Sequence, residues 1–265
     1  MFTITPTVRN LLIINLLIFL SATFFHWENL LVNLFGLRYI FSPDFQAYQL
    51  LTYMFLQVSF GHFFGNMLAL FFFGPILEMT WGAKRFLFYY LATGMAAGVI
   101  YSGVSYLQIA PVQNAAQTYY EQPTPENFDE FMAKYARRLH VENYSRFMAE
   151  FEANPNSQEL INSSKENVNE IVTSKINTIT YGASAVVFAI LLAFAVLFPD
   201  RMIYLLIPPI PIKAKYLVGL YGAYELYAGI KANPDDIVAH FAHLSGMLAG
   251  YLILRYWKKQ NGHFY

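Results

Sequence analysis

The chain has 265 residues, of which 56% are apolar and only 13% charged. A soluble domain carries roughly 25% charged residues, so this composition excludes an ordinary soluble globule and points to an integral membrane protein. The formal net charge of zero argues against a polyanionic partner, nucleic acid included. The absence of Cys excludes disulfides, thiol chemistry and cysteine metal sites.

Six hydrophobic segments follow one another, at residues 11–25, 62–79, 86–107, 181–199, 216–230 and 237–257. About twenty apolar residues are needed to cross the hydrocarbon core as a helix. The first segment has no small-residue cleavage site after a short apolar core, so it reads as an uncleaved anchor. Residues 29–61 are rich in Phe, Tyr and Leu with Arg38 and Asp44 as their only charges, which predicts a loop lying partly in the membrane interface.

Residues 113–177 break the pattern, with six Lys and Arg against ten Asp and Glu. Phe128, Phe131, Met132, Tyr135 and Leu139 fall on one helical stripe, and Thr124-Pro125 supplies a cap and a first-turn proline. Tyr144, Phe147, Met148 and Phe151 repeat the stripe, and Val168, Ile171, Val172 and Ile176 lead into the fourth segment. A small extramembrane helical insertion is expected, acting as a cap over the outer mouth or as a passive spacer. The prolines at 208, 209 and 211 break the chain before the fifth segment, predicting an interfacial turn.

Orientation follows from Lys and Arg in the short loops. With both termini cytoplasmic, Arg9, Lys84, Arg85, Arg201, Lys213, Lys215, Arg255, Lys258 and Lys259 lie inside, leaving Arg38 and Lys231 in the short outside loops. A multi-pass protein of a bacterial inner membrane, with N- and C-termini cytoplasmic, is expected.

Polar groups inside a bilayer are costly and commonly mark function. Ser184 follows Gly182-Ala183 at the start of a charge-free segment, and His243 opens the last one. A serine hydroxyl needs an adjacent base to become a nucleophile, and a neutral imidazole can take its proton and return it to a leaving amine. The alternatives are a serine bonded to its preceding turn and a histidine bonded to a neighbouring helix. Gly246 and Gly250 permit the close helix approach that would join the two, and Phe188 is placed to stack on the imidazole or to sit in core or lipid. The soluble elbow G-x-S-x-G fails, because Val186 stands at its second glycine. His240 shares the face of His243, but without a third ligand it reads as a water-facing histidine at the helix mouth. Glu225, inside the fifth segment, reads as facing a water-filled cavity or pairing with a polar loop group. His62 and Asn66, at i and i+4, share a face of the second segment and offer either N–H donors or capping and interhelical bonds.

Four motifs in this order, His62-Phe63-Phe64-Gly65-Asn66, Glu78-Met79-Thr80-Trp81-Gly82, Gly182-Ala183-Ser184-Ala185 and His243-Leu244-Ser245-Gly246-Met247-Leu248-Ala249-Gly250, resemble those of the rhomboid family of intramembrane serine proteases. The sequence departs from the family's usual pattern at Ala185, where glycine is usual, and in the separation of Trp27 from Arg38. The resemblance implies an all-α polytopic membrane protein, a six-transmembrane-helix bundle with residues 113–177 as an extramembrane insertion. It implies a Ser184–His243 dyad without an acidic third member, and oxyanion stabilisation by His62 and Asn66. It further implies cleavage of transmembrane protein substrates in or near their membrane helices, with no cofactor or metal. Glu78 and Gly82 are expected in a structural network at the inner end of the second segment. The rivals are a proteolytically inactive rhomboid-like protein that binds membrane clients, and a transporter.

Overall fold

The computed structural model describes residues 3–136, 141–204, 210–231 and 239–262. Pro208 and Pro209 of the expected turn, Leu139 of the first insertion stripe and residues 237 and 238 of the last segment lie outside them. The chain divides into two compact units, Met1–Ser102 with Ile179–Tyr265, and Gly103–Thr178.

In the first unit, helix α1 (Pro6–Phe25) is followed by α2 (Glu28–Phe35), by the short α3 (Gln49–Thr52) with a 3-10 turn at Tyr53–Phe55, and by α4 (Phe60–Trp81). Helix α5 (Ala83–Glu121) begins in this unit. After the second unit come α9 (Ser184–Leu197), the antiparallel pair β1 (Met202–Tyr204) and β2 (Pro211–Lys213), α10 (Ala214–Lys231) and α11 (His240–Asn261). Each of the six expected segments therefore carries a helix. Among the described residues α1, α4 and α5 are long and apolar enough to cross a membrane, and α9 is a shorter apolar helix. The fold is a polytopic helical membrane bundle whose outward side chains, such as Leu17, Phe24, Leu220 and Ile230, are apolar and exposed, as a lipid surface requires.

Helix α9 is apolar all round and packs against α4, α10 and α11, which is the pattern of a buried central helix. Its 14 residues make only about 21 Å of helix against a hydrocarbon core of about 30 Å. The sequence periodicity carried this span from residue 181, but Gly182 has φ 123° and turns the chain before the helix starts at Ser184. That φ is open to glycine and strained for any residue with a β-carbon. The Tyr181–Ala183 turn is held by the Leu37–Thr180 bridge and by the Gly182 amide donating to the Tyr53 carbonyl at 2.9 Å.

Helix α1 begins at Pro6 after the extended Thr5, whose own side chain caps nothing in α1. Its free amide donors go instead to Glu78 at the end of α4. The Glu78 carboxylate accepts from the Thr5 hydroxyl at 2.5 Å, the Thr7 amide at 3.0 Å and the Val8 amide at 2.9 Å. A carboxylate on the first turn of a helix also meets its positive dipole end. In the loop before the hairpin, hydrogen bonds from Lys215 and Lys213 hold the Asp200 carboxyl below its usual range.

The second unit contains the remainder of α5 with α6 (Pro125–Tyr135), α7 (Val141–Ala153) and α8 (Gln158–Ile176). Thr124 caps α6 through the Asn127 amide, and Ser157 caps α8 through the Leu160 amide. Phe128, Phe131, Met132, Met148, Phe151 and Val168 meet in this unit's own core with Val112, Ala116 and Tyr119 of α5. Tyr135, Tyr144 and Phe147 pack at its margin.

Candidate active site

Ser184 is the first residue of α9, half-buried, between the buried Ala183 and Ala185. The first helical bond of α9 runs from the Val187 amide to the Ala183 carbonyl. The amides of Ser184, Ala185 and Val186 therefore have no acceptor within the helix, the general condition of a helix N-terminus and a favourable one for developing negative charge.

His243 lies on the first turns of α11 and is 8% exposed. Its ring stacks on Phe188, with centroids 4.4 Å apart and planes 10° from parallel; Phe188 is one turn along α9 from Ser184. Three residues after His243, Gly246 presses on the backbone of α9. A β-carbon there would stand 1.9 Å from the Ala185 carbonyl oxygen. Gly250 repeats the approach one turn further, where a β-carbon would crowd the Tyr89 hydroxyl and stand 3.0 Å from the Ala189 β-carbon. Helix packing thus sets the start of α11, with His243, against the first turns of α9, which begins at Ser184. Among the described residues no hydrogen bond joins Ser184 to His243.

Asn66 of α4 is buried, and its neighbour Met67 packs with Ala183 and Val187 in a small cluster, which sets this stretch of α4 against the serine turn. Its amide nitrogen donates to Gln57 Oε1 at 3.0 Å. His62 lies one turn nearer the start of α4 and is exposed, and its backbone amide donates to the capping Ser59 hydroxyl. No hydrogen bond ties the His62 ring to Ser184, His243 or Asn66 among the described residues. Sequence reading missed Gln57. It is fully buried, and its Nε2 has no acceptor among the described residues. A polar residue three positions before a helix start gives no periodic signal that could have found it.

Glu225 and His240 are placed differently from expectation. His240 is buried rather than water-facing, and Glu225 on α10 is 2% exposed. Glu225 Oε2 lies 2.6 Å from His240 Nδ1 and 2.9 Å from His243 Nδ1. The expected histidine without an acidic neighbour therefore has one. The reason is local: Gly229, one turn beyond Glu225, lets α11 approach, so that a β-carbon there would meet His240 and Phe241 at 3.1–3.3 Å.

Comparison with curated proteins gave no match. The model of the Rhomboid domain matches residues 44–111 and 161–259, more than half of the chain, and passes over 112–160, which fall in the second unit. The matched stretches contain α4, the turn at Gly182, all of α9 and the α10–α11 pair that carries Glu225 and His243. By this match the chain belongs to the rhomboid family.

Proposed function

We propose that the protein is an intramembrane serine endopeptidase that cuts other membrane proteins in or near their transmembrane helices. The observation that supports this best is the seating of His243: its ring is stacked on Phe188, one turn from Ser184, while Gly246 meets the carbonyl of Ala185. In this reading Ser184 attacks the peptide carbonyl, His243 takes the hydroxyl proton, and the same proton is then given to the leaving amine. The oxyanion is met by the Ser184 amide, the Asn66 carboxamide and His62 from the mouth of α4. The shortness of α9 supports a Ser184 lying below the membrane surface, where a scissile bond within a substrate's helix can reach it. Such a bond is shielded by its own helical hydrogen bonding, so substrates with small or helix-destabilising residues at the cut are expected. No cofactor takes part.

The distribution of Lys and Arg supports cytoplasmic termini and a site opening to the outer face, in a bacterial inner membrane. The cysteine-free chain makes this testable. Cysteine at Ser157 should react with an impermeant thiol reagent from outside, and cysteine at Gln260 only after permeabilisation; the reverse pattern overturns the orientation.

The activity is tested with a fluorophosphonate, which labels an activated serine. Labelling of the wild type that disappears in Ser184→Ala and in His243→Ala, together with cleavage of a transmembrane substrate, is expected. A wild-type protein that neither labels nor cleaves is a client-binding relative or a transporter instead.

A further inference from the structure

We propose that Glu225 is a positioning residue for this chemistry: its Oε2 accepts the Nδ1 hydrogen of His243 and so presents Nε2 as the basic nitrogen to Ser184. The inference rests on the protease reading of Ser184 and His243.

A carboxylate buried in a membrane helix is expensive unless partners satisfy it. Here the partners are two imidazole nitrogens on one oxygen, at 2.6 Å from His240 and 2.9 Å from His243. An ionised carboxylate only accepts hydrogen bonds. Both Nδ1 atoms therefore carry hydrogen, and a neutral His243 keeps its lone pair on Nε2. The ring is held on a face by Phe188 and on one edge by Glu225, which leaves the Nε2 edge for the serine. His240 binds the same oxygen and restrains the carboxylate in turn. The three side chains are a metal-ligand set by residue type. The two Nδ1–Oε2 separations, 2.6 and 2.9 Å, are those of hydrogen bonds.

In the reaction the serine oxygen forms its bond to the carbonyl carbon as its proton passes to His243 Nε2. The carbonyl π pair moves to the oxyanion. When the tetrahedral adduct collapses, the C–N bond breaks and the amine leaves with that same proton. Glu225 neither gains nor loses a proton; its charge stabilises the imidazolium while it exists, as a carboxylate does in the serine–histidine–acid triads of soluble proteases. Among the described residues, the titratable groups shown against His243 are Glu225 of α10 and His240 of α11, with Tyr221 beyond Phe188 and Tyr224 beyond His240. Helix α9 brings Phe188.

The test is the pH dependence of kcat and KM on a transmembrane substrate in proteoliposomes, from about pH 5 to 9, across the range where histidine titrates. Wild type, Glu225→Gln, Glu225→Asp and Ser184→Ala are compared. Loss of the corresponding carboxylate in a soluble triad costs about 10⁴ in kcat, so Glu225→Gln should lower kcat by at least about 10² with KM little changed. Its acidic limb should move to lower pH, because the imidazolium has lost its counter-charge, and Glu225→Asp should restore part of both. Wild-type kcat in Glu225→Gln, or a fall in kcat with the limb unmoved, overturns the proposal. If Glu225→Gln does not fold, nitrogen NMR of the histidine-labelled wild type decides, with the His243 signal assigned from its loss in His243→Asn. At alkaline pH the Nδ1–H tautomer is expected, and an Nε2–H tautomer overturns the proposal. A wild type without Ser184-dependent cleavage overturns the protease reading and this inference together, whereas an active wild type with an unaffected Glu225→Gln overturns this inference alone.

Discussion

The carbonyl oxygen of Ala185 occupies the space beside Gly246 so closely that a β-carbon there would stand 1.9 Å away. Helices α9 and α11 thus touch backbone to backbone at the residue following Ser184. No side chain can yield to relieve that contact, so Gly246→Ala must push the helices apart. A misplacement of about 1 Å in a reacting pair can cost about 10² in rate. Gly246→Ala should lose fluorophosphonate labelling by at least that factor. Gly219→Ala on α10, where a β-carbon would meet nothing within 4 Å, is the control and should label like wild type. Equal labelling by the two variants removes the packing argument.

Ser184 and His243 should behave as one unit. Ser184→Ala and His243→Ala should each abolish cleavage, and the double variant should be no worse than either, since effects of residues acting together do not add. Substantial turnover by Ser184→Ala sinks the assignment of the nucleophile.

Removing one oxyanion donor typically costs about 10²–10³ in turnover, and that is the expected loss for Asn66→Ala and for His62→Ala. Gln57 orients Asn66 through the 3.0 Å bond to its amide. Gln57→Leu should therefore slow turnover less than Asn66→Ala, and combining the two should add little. Unchanged turnover with much weaker substrate affinity makes His62 and Asn66 binding residues instead.

Glu78 should matter for stability and not for chemistry. It supplies the acceptors for the first turn of α1, and loss of a helix cap costs about 0.5–2 kcal/mol. Glu78→Ala should lower the thermal midpoint in detergent while the labelling rate at Ser184, measured below the transition, stays unchanged. A slower labelling rate in the folded variant contradicts the purely structural role.

The second unit has a core of its own. Phe151 is fully buried in it, and a Phe→Ala change in a core costs about 3–5 kcal/mol. Phe151→Ala should open residues 103–178 to limited proteolysis while Ser184 still labels. Loss of labelling together with that opening shows that the active site depends on this unit's order.

Much of this architecture was legible in the sequence because lipid and helices impose regular signals. The six apolar segments and the Gly246–Gly250 spacing follow from length and periodicity. So do the insertion's aromatic stripes from Phe128 to Phe151. For Phe188 the sequence leaves stacking on His243 and a place in core or lipid both open, and the stack is what forms. What escaped was irregular or non-local. The true start of α9 depends on the φ of Gly182, which apolarity does not report. Gln57 sits in an aperiodic turn. The pairing of Glu225 with His240 and His243 depends on how α10 and α11 rotate against each other, and a window along one segment contains no information about a partner 15 or 18 residues away.

The capping of α1 by Glu78 has a bearing on how the chain is built. The amide donors at Thr7 and Val8 find their acceptors 71 and 70 residues later in the sequence. A chain emerging from the ribosome therefore makes α1 long before it makes the group that completes it. Until the end of α4 has been inserted, the opening turn of α1 must take its partners from interfacial water. Of these two helices, the one made earlier is thus completed only when the later one is in place. A nascent chain halted before residue 78 should hold α1 in the membrane with its first turn still exchanging amide hydrogens freely.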